Sequence, residues 1–196
     1  TNDNPSREPA HAALFRSIPG MLYQILNEPG WPVEFASDGC LELCGYTRSE
    51  LENGEVLWGD IIDPQDRDRV WAGTQIAVAA DTTYEFEYRI TARSGAQRWV
   101  WERGQRSQWA PDNNTRLEGL ITDITGRKAT ERALADARAF SEAVVETAVE
   151  AVITIDTAGR IETFNRSAQQ MFGYSFFEVA GQNVSMLMPD PYATEH

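Results

Sequence analysis

The sequence predicts an α+β fold: a five-stranded antiparallel sheet with short helices on one face, then a long helix, then the first half of a second copy of the same domain. Three observations predict it. Tyr84, Phe86, Tyr88 and Ile90 alternate with Glu85, Glu87 and Arg89, the period-two pattern of a half-buried strand. Two strand-like runs before residue 37 and three after residue 83 bracket a set of short helical segments, the order of a sheet covered on one side. Glu34–Leu51 also aligns with Glu162–Val179 at an offset of 128, with Gly45-Tyr46 falling on Gly173-Tyr174.

Each element has its own signal. Met21–Leu26 and Val33–Ala36 flank the turn residues Asn27–Pro32 and read as a hairpin. Cys40, Leu41, Leu43 and Cys44 suit a short helix stopped by Gly45. Asp63-Pro64 opens another helix, with proline in its first turn, running through Val70, Trp71 and Ile76. After the Tyr84–Ile90 strand, Arg93–Ala96 turns into Arg98–Trp109, where Trp99 and Trp101 share a face. Asp112–Asn114 then turns into Leu117–Ile124, with Leu120 and Ile124 on one face and Leu117 and Ile121 on the other. A weaker self-match sets Asp63-Pro64 against Met188-Pro189, three residues out of register. The expected organisation is a tail (1–11), a complete domain (12–125), a linker helix (126–148) and a truncated second domain (149–196).

Composition narrows the function. Thirty acidic against seventeen basic residues give a net charge of −13, which repels phosphate backbones and anionic lipid, so no nucleic-acid or membrane partner is expected. Thr1–Pro9 lacks the pattern of a signal peptide. Two cysteines, Cys40 and Cys44, are expected as packed core residues in a reducing, cytoplasmic compartment. Histidine is limited to His11 and His196, so no histidine-based catalytic set is available and no catalytic or metal-ligating residue is expected. Asp63, Asp66, Asp68, Glu85 and Glu87 read as solvated carboxylates at helix starts and on outer strand faces.

Gly126–Thr147 has no proline and no internal glycine, and Ala133, Ala137, Phe140, Val144, Thr147 and Ala151 follow a 4-3-4-3-4 spacing. That rhythm fits either one amphipathic helix lying on its own domain or a parallel coiled-coil pair. The aromatic set Trp58, Trp71, Tyr84, Phe86, Trp99 and Trp101 is expected to fill the space between sheet and helices, a packed core rather than a ligand cavity.

The element order, with Gly-Tyr after the first helix, resembles the PAS family of sensor domains. Trp58–Arg67, Tyr88-Arg-Ile with Ser94-Gly95 and Arg98-Trp99, and Gly119–Thr125 look like its successive signature segments. The resemblance implies a sensory and dimerisation region of a bacterial signalling protein, with the output domain absent. That output is a two-component histidine kinase or, alternatively, a diguanylate cyclase or phosphodiesterase; a ligand-free scaffold that only sets dimer geometry is the rival. It implies a homodimer through the linker helix and PAS surfaces. It also implies signal relay through Asp123, Thr125 and Arg127, with Asp123 pairing with Arg127 or Lys128. The segment Gly181–His196 resembles the haem-PAS of FixL-type oxygen sensors, which implies His196 as an axial haem ligand in the intact parent and no cofactor in this fragment. Gly181-Gln-Asn183 also resembles the flavin photoreceptor (LOV) type, but Val184 stands where that type carries its reactive cysteine.

Overall fold

The structure is a computed structural model that describes residues 19–108 and 114–188. The chain divides into two units, Thr1–Ala129 and Thr130–His196.

In the first unit, β1 (Met21–Leu26) and β2 (Val33–Ala36) form the expected hairpin. Four helices follow: α1 (Gly39–Cys44), α2 (Arg48–Glu52), α3 (Trp58–Ile61) and α4 (Pro64–Ala79). Strands β3 (Tyr84–Thr91), β4 (Gln97–Arg106) and β5 (Arg116–Asp123) complete the set. The sheet order is β2-β1-β5-β4-β3, antiparallel throughout, so the first hairpin docks beside the last strand. Alternation decides the faces. Met21, Tyr23, Ile25, Tyr84, Tyr88, Ile90, Val100, Leu117 and Ile121 point inward and are buried, whereas Leu22, Phe35, Trp101 and Leu120 line an open groove on the outer face. Removing this much apolar surface from water is the main force holding helices to sheet. Asp63 caps α4 by accepting from the Gln65 N–H at 3.0 Å, with Pro64 in the first turn.

Two side chains depart from expectation here. Ile76 lies on α4 but is 72% exposed, because the buried stripe of that helix is Asp66, Val70, Thr74 and Ala77. Trp31, inside the expected turn, is a core residue whose ring meets Trp71 edge-on at 5.2 Å. Its backbone takes φ +47° to deliver the indole there.

The linker is a 23-residue helix, α5 (Thr125–Thr147), with no buried residue. Residues 129–144 are all exposed. The helix ends at Thr147, so Ala151 lies beyond it and the expected seam loses its last member; the run before Ala151 turns away toward the next strand.

The second unit repeats the first copy's opening. Its strands are β6 (Ile153–Ile155) and β7 (Ile161–Phe164), followed by α6 (Arg166–Phe172), α7 (Phe176–Val179) and a 3₁₀ turn at Val184–Leu187. At the offset of 128, β2 falls on β7 end for end. Gly45 and Gly173 stop their helices at φ +78° and +77°. The capping boxes Thr47/Glu50 and Ser175/Glu178 coincide too. Ile161, Phe164, Ala168 and Val179 make its small core. Met171, Phe172, Phe177 and Met186 stay exposed.

Candidate functional site

A row of paired residues crosses four strands on the inner face of the sheet. Tyr84 on β3 pairs with Gly104 on β4, Gly104 with Gly119 on β5, and Gly119 with Tyr23 on β1. The two glycines leave a floor without side chains, and the phenol rings close over it until their hydroxyls meet at 2.8 Å. A Cβ at Gly104 would strike both phenols; one at Gly119 would strike the Tyr23 hydroxyl and the β4 backbone. Close approach is the reason these positions are glycine.

Glu102, two residues before Gly104, faces the same interior and is 4% exposed. The Tyr23 hydroxyl donates to its Oε1 at 2.5 Å. Tyr88 on β3 lies near the same carboxyl, and Trp58 Nε1 donates to the Tyr88 hydroxyl at 3.1 Å. These neighbours are all uncharged aromatics. Burial pushes the Glu102 carboxyl above the usual carboxylate range, against the opposing pull of the Tyr23 and Tyr88 hydroxyls. Burial, and then the nearby carboxyl, likewise raise the phenols of Tyr23, Tyr84 and Tyr88.

This cluster was not anticipated, although a signal for it exists. Val100, Glu102 and Gly104 alternate with Trp99, Trp101 and Arg103, so tryptophans on the outer face oblige Glu102 to face inward. The six aromatics expected in the interior in fact divide. Trp58 and Tyr84 are buried, and Trp71 and Phe86 pack at the core's margin. Trp99 and Trp101 sit on the opposite face, where Trp101 Nε1 donates to Glu85 at 2.8 Å. Tyr23, Trp31 and Tyr88 take the interior places. With these rings and the carboxyl closed over the glycine floor, the interior does not fit a porphyrin or a flavin.

The second feature is the exit of the sheet into α5. The Trp99 N–H donates to the Thr125 hydroxyl at 3.0 Å, and the Ile124 N–H donates to the Trp99 carbonyl at 2.9 Å. Asp123 caps the helix by accepting from the Thr125 N–H at 2.8 Å and pairs with Arg98 at 3.3 Å. The expected partners Arg127 and Lys128 both bind Glu87 of β3 instead, Lys128 at 2.6 Å. The cause is directional: the Asp123 carboxylate turns to the helix start, while the first turn of α5 runs beside the outer-face residues of β3 and β4. Hydrogen bonds from Lys128 and Arg127 hold Glu87 below the usual carboxylate range. Two cations stand over the Trp99 ring, Lys128 Nζ at 5.4 Å and the Arg89 guanidinium at 5.7 Å from its centroid.

Arg89 continues the chain to α4. Asp66, expected to be solvated, is buried and accepts from the Arg89 N–H at 3.1 Å and its Nε at 2.8 Å. Burial alone would raise Asp66, but Arg89 and Arg69 outweigh it and leave the group lowered. Cys40 and Cys44 are buried free thiols, and burial pushes Cys40 up to about 11. Val184 opens the 3₁₀ turn. His11 and His196 lie outside the described residues, as does Trp109. Among the described residues no cluster of three His, Cys, Asp or Glu side chains could hold a metal, and no helix is long and apolar enough to cross a membrane.

Two family models, both described as PAS fold, match residues 33–120 and 139–196. The sensor protein FixL of Bradyrhizobium diazoefficiens is 30% identical over 166 residues, which is 85% of this chain and 32% of that protein. The methyl sulfide methyltransferase-associated sensor of Methanosarcina acetivorans is 39% identical over 105 residues, 53% of this chain and 10% of that protein. The chain thus spans a third or less of the length of these relatives. A solved sensory box histidine kinase/response regulator from Burkholderia thailandensis E264 is similar at 31% identity and a TM-score of 0.50, covering 63% of this chain and 90% of that one. Two matching segments, one on each repeat, and a five-stranded sheet with its helices on one face lead to one conclusion: the chain belongs to the PAS family of sensor domains.

Proposed function

We propose that this chain is the sensory and dimerisation region of a bacterial two-component sensor histidine kinase, working in the cytoplasm and relaying a change in its first PAS domain through α5. One observation carries the reading. Thr125, the first residue of α5, holds the backbone of Trp99 in the middle of the β3–β4–β5 ladder. A shift of β4 against β5 therefore moves the start of the helix, and Glu87 gripping Arg127 and Lys128 passes on a shift of β3 in the same way. Asp123 sets the helix start, Thr125 is the joint, and Arg127 is the outer tie. The signal acts by population shift, favouring one of two helix arrangements. The similarity to FixL and to the sensory box kinase structure supports a kinase as the output. No step of this relay runs through haem or through His196.

The α5 stripe supports dimerisation. Leu134, Ala137, Phe140 and Val144 share one face, and Leu134, Phe140 and Val144 are 53%, 73% and 51% exposed. A helix with no buried residue gains little from propensity alone and needs another surface. A second copy supplies the same stripe about a two-fold axis. Val144→Glu places a charge in that seam and should weaken association by roughly 1–3 kcal/mol, read by sedimentation equilibrium. An unmutated chain that stays monomeric at high concentration would refute the seam.

A further inference from the structure

Resting on the relay reading above, we infer that Glu102 is a proton-operated switch inside the first PAS domain, with two hydrogen-bond arrangements that differ in the direction of the Tyr23–Tyr84 pair. The donor inventory gives the cluster this property. Trp58 Nε1 can only donate, so the Tyr88 hydroxyl beside the carboxyl is fixed as its acceptor. In the Tyr23–Tyr84 pair either hydroxyl can be the donor.

With Glu102 ionised, Tyr84 donates to Tyr23 and Tyr23 to the carboxylate, so this pair points toward the charge. With Glu102 protonated, its new O–H is received by Tyr23 only if Tyr23 turns its own proton to Tyr84. One proton enters from water, one O–H bond forms at the carboxyl, and the Tyr23–Tyr84 pair reverses.

The surroundings leave the proton as the natural input. The groups facing the carboxyl are Tyr23 from β1, Tyr84 and Tyr88 from β3 and Trp58 from α3. Opposite it in the ladder stand Ile121 of β5 and Phe86 of β3. None of these is a cation, so nothing inside the cluster compensates the charge. Burial raises the carboxyl's affinity for a proton above that of an exposed carboxylate.

The output lies on the same strand. Glu102 is three residues along β4 from Trp99, whose backbone is fixed to Thr125. Tyr23 ties β4 to β1 across the intervening β5. Neutralising Glu102 loosens that tie and changes how β4 and β5 lie at the helix start.

The test uses the whole 196-residue chain. Difference infrared spectra with ¹³C-glutamate, taken between about pH 5 and 9, follow the C=O band of the protonated carboxyl. 5-Fluorotryptophan, with the Trp99 resonance assigned through Trp99→Phe, reports on the exit. The expected result is a glutamate band whose midpoint lies above that of exposed carboxylates and which is missing in Glu102→Gln. The Trp99 resonance should share that midpoint, and Glu102→Gln should hold it at its low-pH position at every pH. Tyr23→Phe, which removes a donor to the anion, should move the midpoint up by about one unit. Absence of the band, or a Trp99 shift that persists in Glu102→Gln, overturns the switch and leaves the relay reading standing. A band that titrates while Trp99 stays still overturns the inference and counts against the relay as well.

Discussion

Replacing Asn165 with alanine should unfold the second unit while the first stays intact. Asn165 is 2% exposed and uses its whole side-chain amide. Its Oδ1 accepts from the Val152 N–H at 2.9 Å and the Ala168 N–H at 3.0 Å. Its Nδ2 donates to the carbonyls of Val145 and Glu150, both at 2.9 Å. One residue thus joins the end of α5, the entry to β6 and the start of α6. Alanine leaves the Val152 and Ala168 N–H groups and the Glu150 carbonyl without this partner, while the Val145 carbonyl keeps the Ala148 N–H. Each buried group left so costs about 1–3 kcal/mol. A core of four buried apolar residues has no reserve to absorb that loss. Hydrogen exchange should show Val152–Ile155 losing protection while Tyr84–Thr91 keeps it; unchanged protection in Val152–Ile155 would count against the assignment. Ser37 occupies the matching place in the first copy, where its Oγ accepts from the Leu22 N–H at 2.9 Å. It makes fewer bonds inside a much larger core, so Ser37→Ala should be mild.

The stability of the first unit should depend on pH through Glu102, and Glu102→Gln should remove that dependence. An unfolded glutamate loses its proton near pH 4.3, whereas the folded one holds it to higher pH. Between those values the native state binds a proton that the unfolded chain has shed. The stability this group contributes is complete below the unfolded value and is lost as pH rises through the folded one. Glutamine stays neutral throughout. The variant should match the unmutated chain at the acid end and exceed it by roughly 1–3 kcal/mol above the window, read from urea midpoints across pH. Groups whose folded values are lowered, such as Asp66 and Glu87, are common to both proteins and cancel in the difference. Curves that run parallel would show that Glu102 is ionised in both states.

Local pattern carried most of the architecture. The hairpin strands stand at Met21–Leu26 and Val33–Ala36, α1 stops at Gly45, and Leu117 and Ile121 face the core. Each follows from a short-range rule: a strand alternates, a helix stops at glycine, proline opens a helical turn. What local pattern withheld were the partners. Asp66 looks like any carboxylate in a first helical turn until β3 brings Arg89 across it. Trp31 looks like a turn residue until α4 brings Trp71 to its ring. Glu102 was hidden by its class, since glutamate is almost always solvated, and only the phase set by Trp99 and Trp101 betrays it. The charge ties of α5 failed for the same reason: Asp123 stands near Arg127 and Lys128 in sequence, but Glu87 is nearer in space.

The proposed relay from the first PAS domain into α5 is tested most directly by the distance between the α5 helices of two copies in the proposed dimer. Nitroxides attached at Arg138→Cys in both copies, with Cys40 and Cys44 buried and therefore unlabelled, give the interhelix distance by double electron–electron resonance. Thr125→Val keeps the shape of the joint but removes the oxygen that receives the Trp99 N–H. A defined distance is expected in the unmutated protein and a shifted or broadened one in Thr125→Val, with the first unit still folded. The same distribution in both proteins, or no intermolecular distance at all, would contradict it.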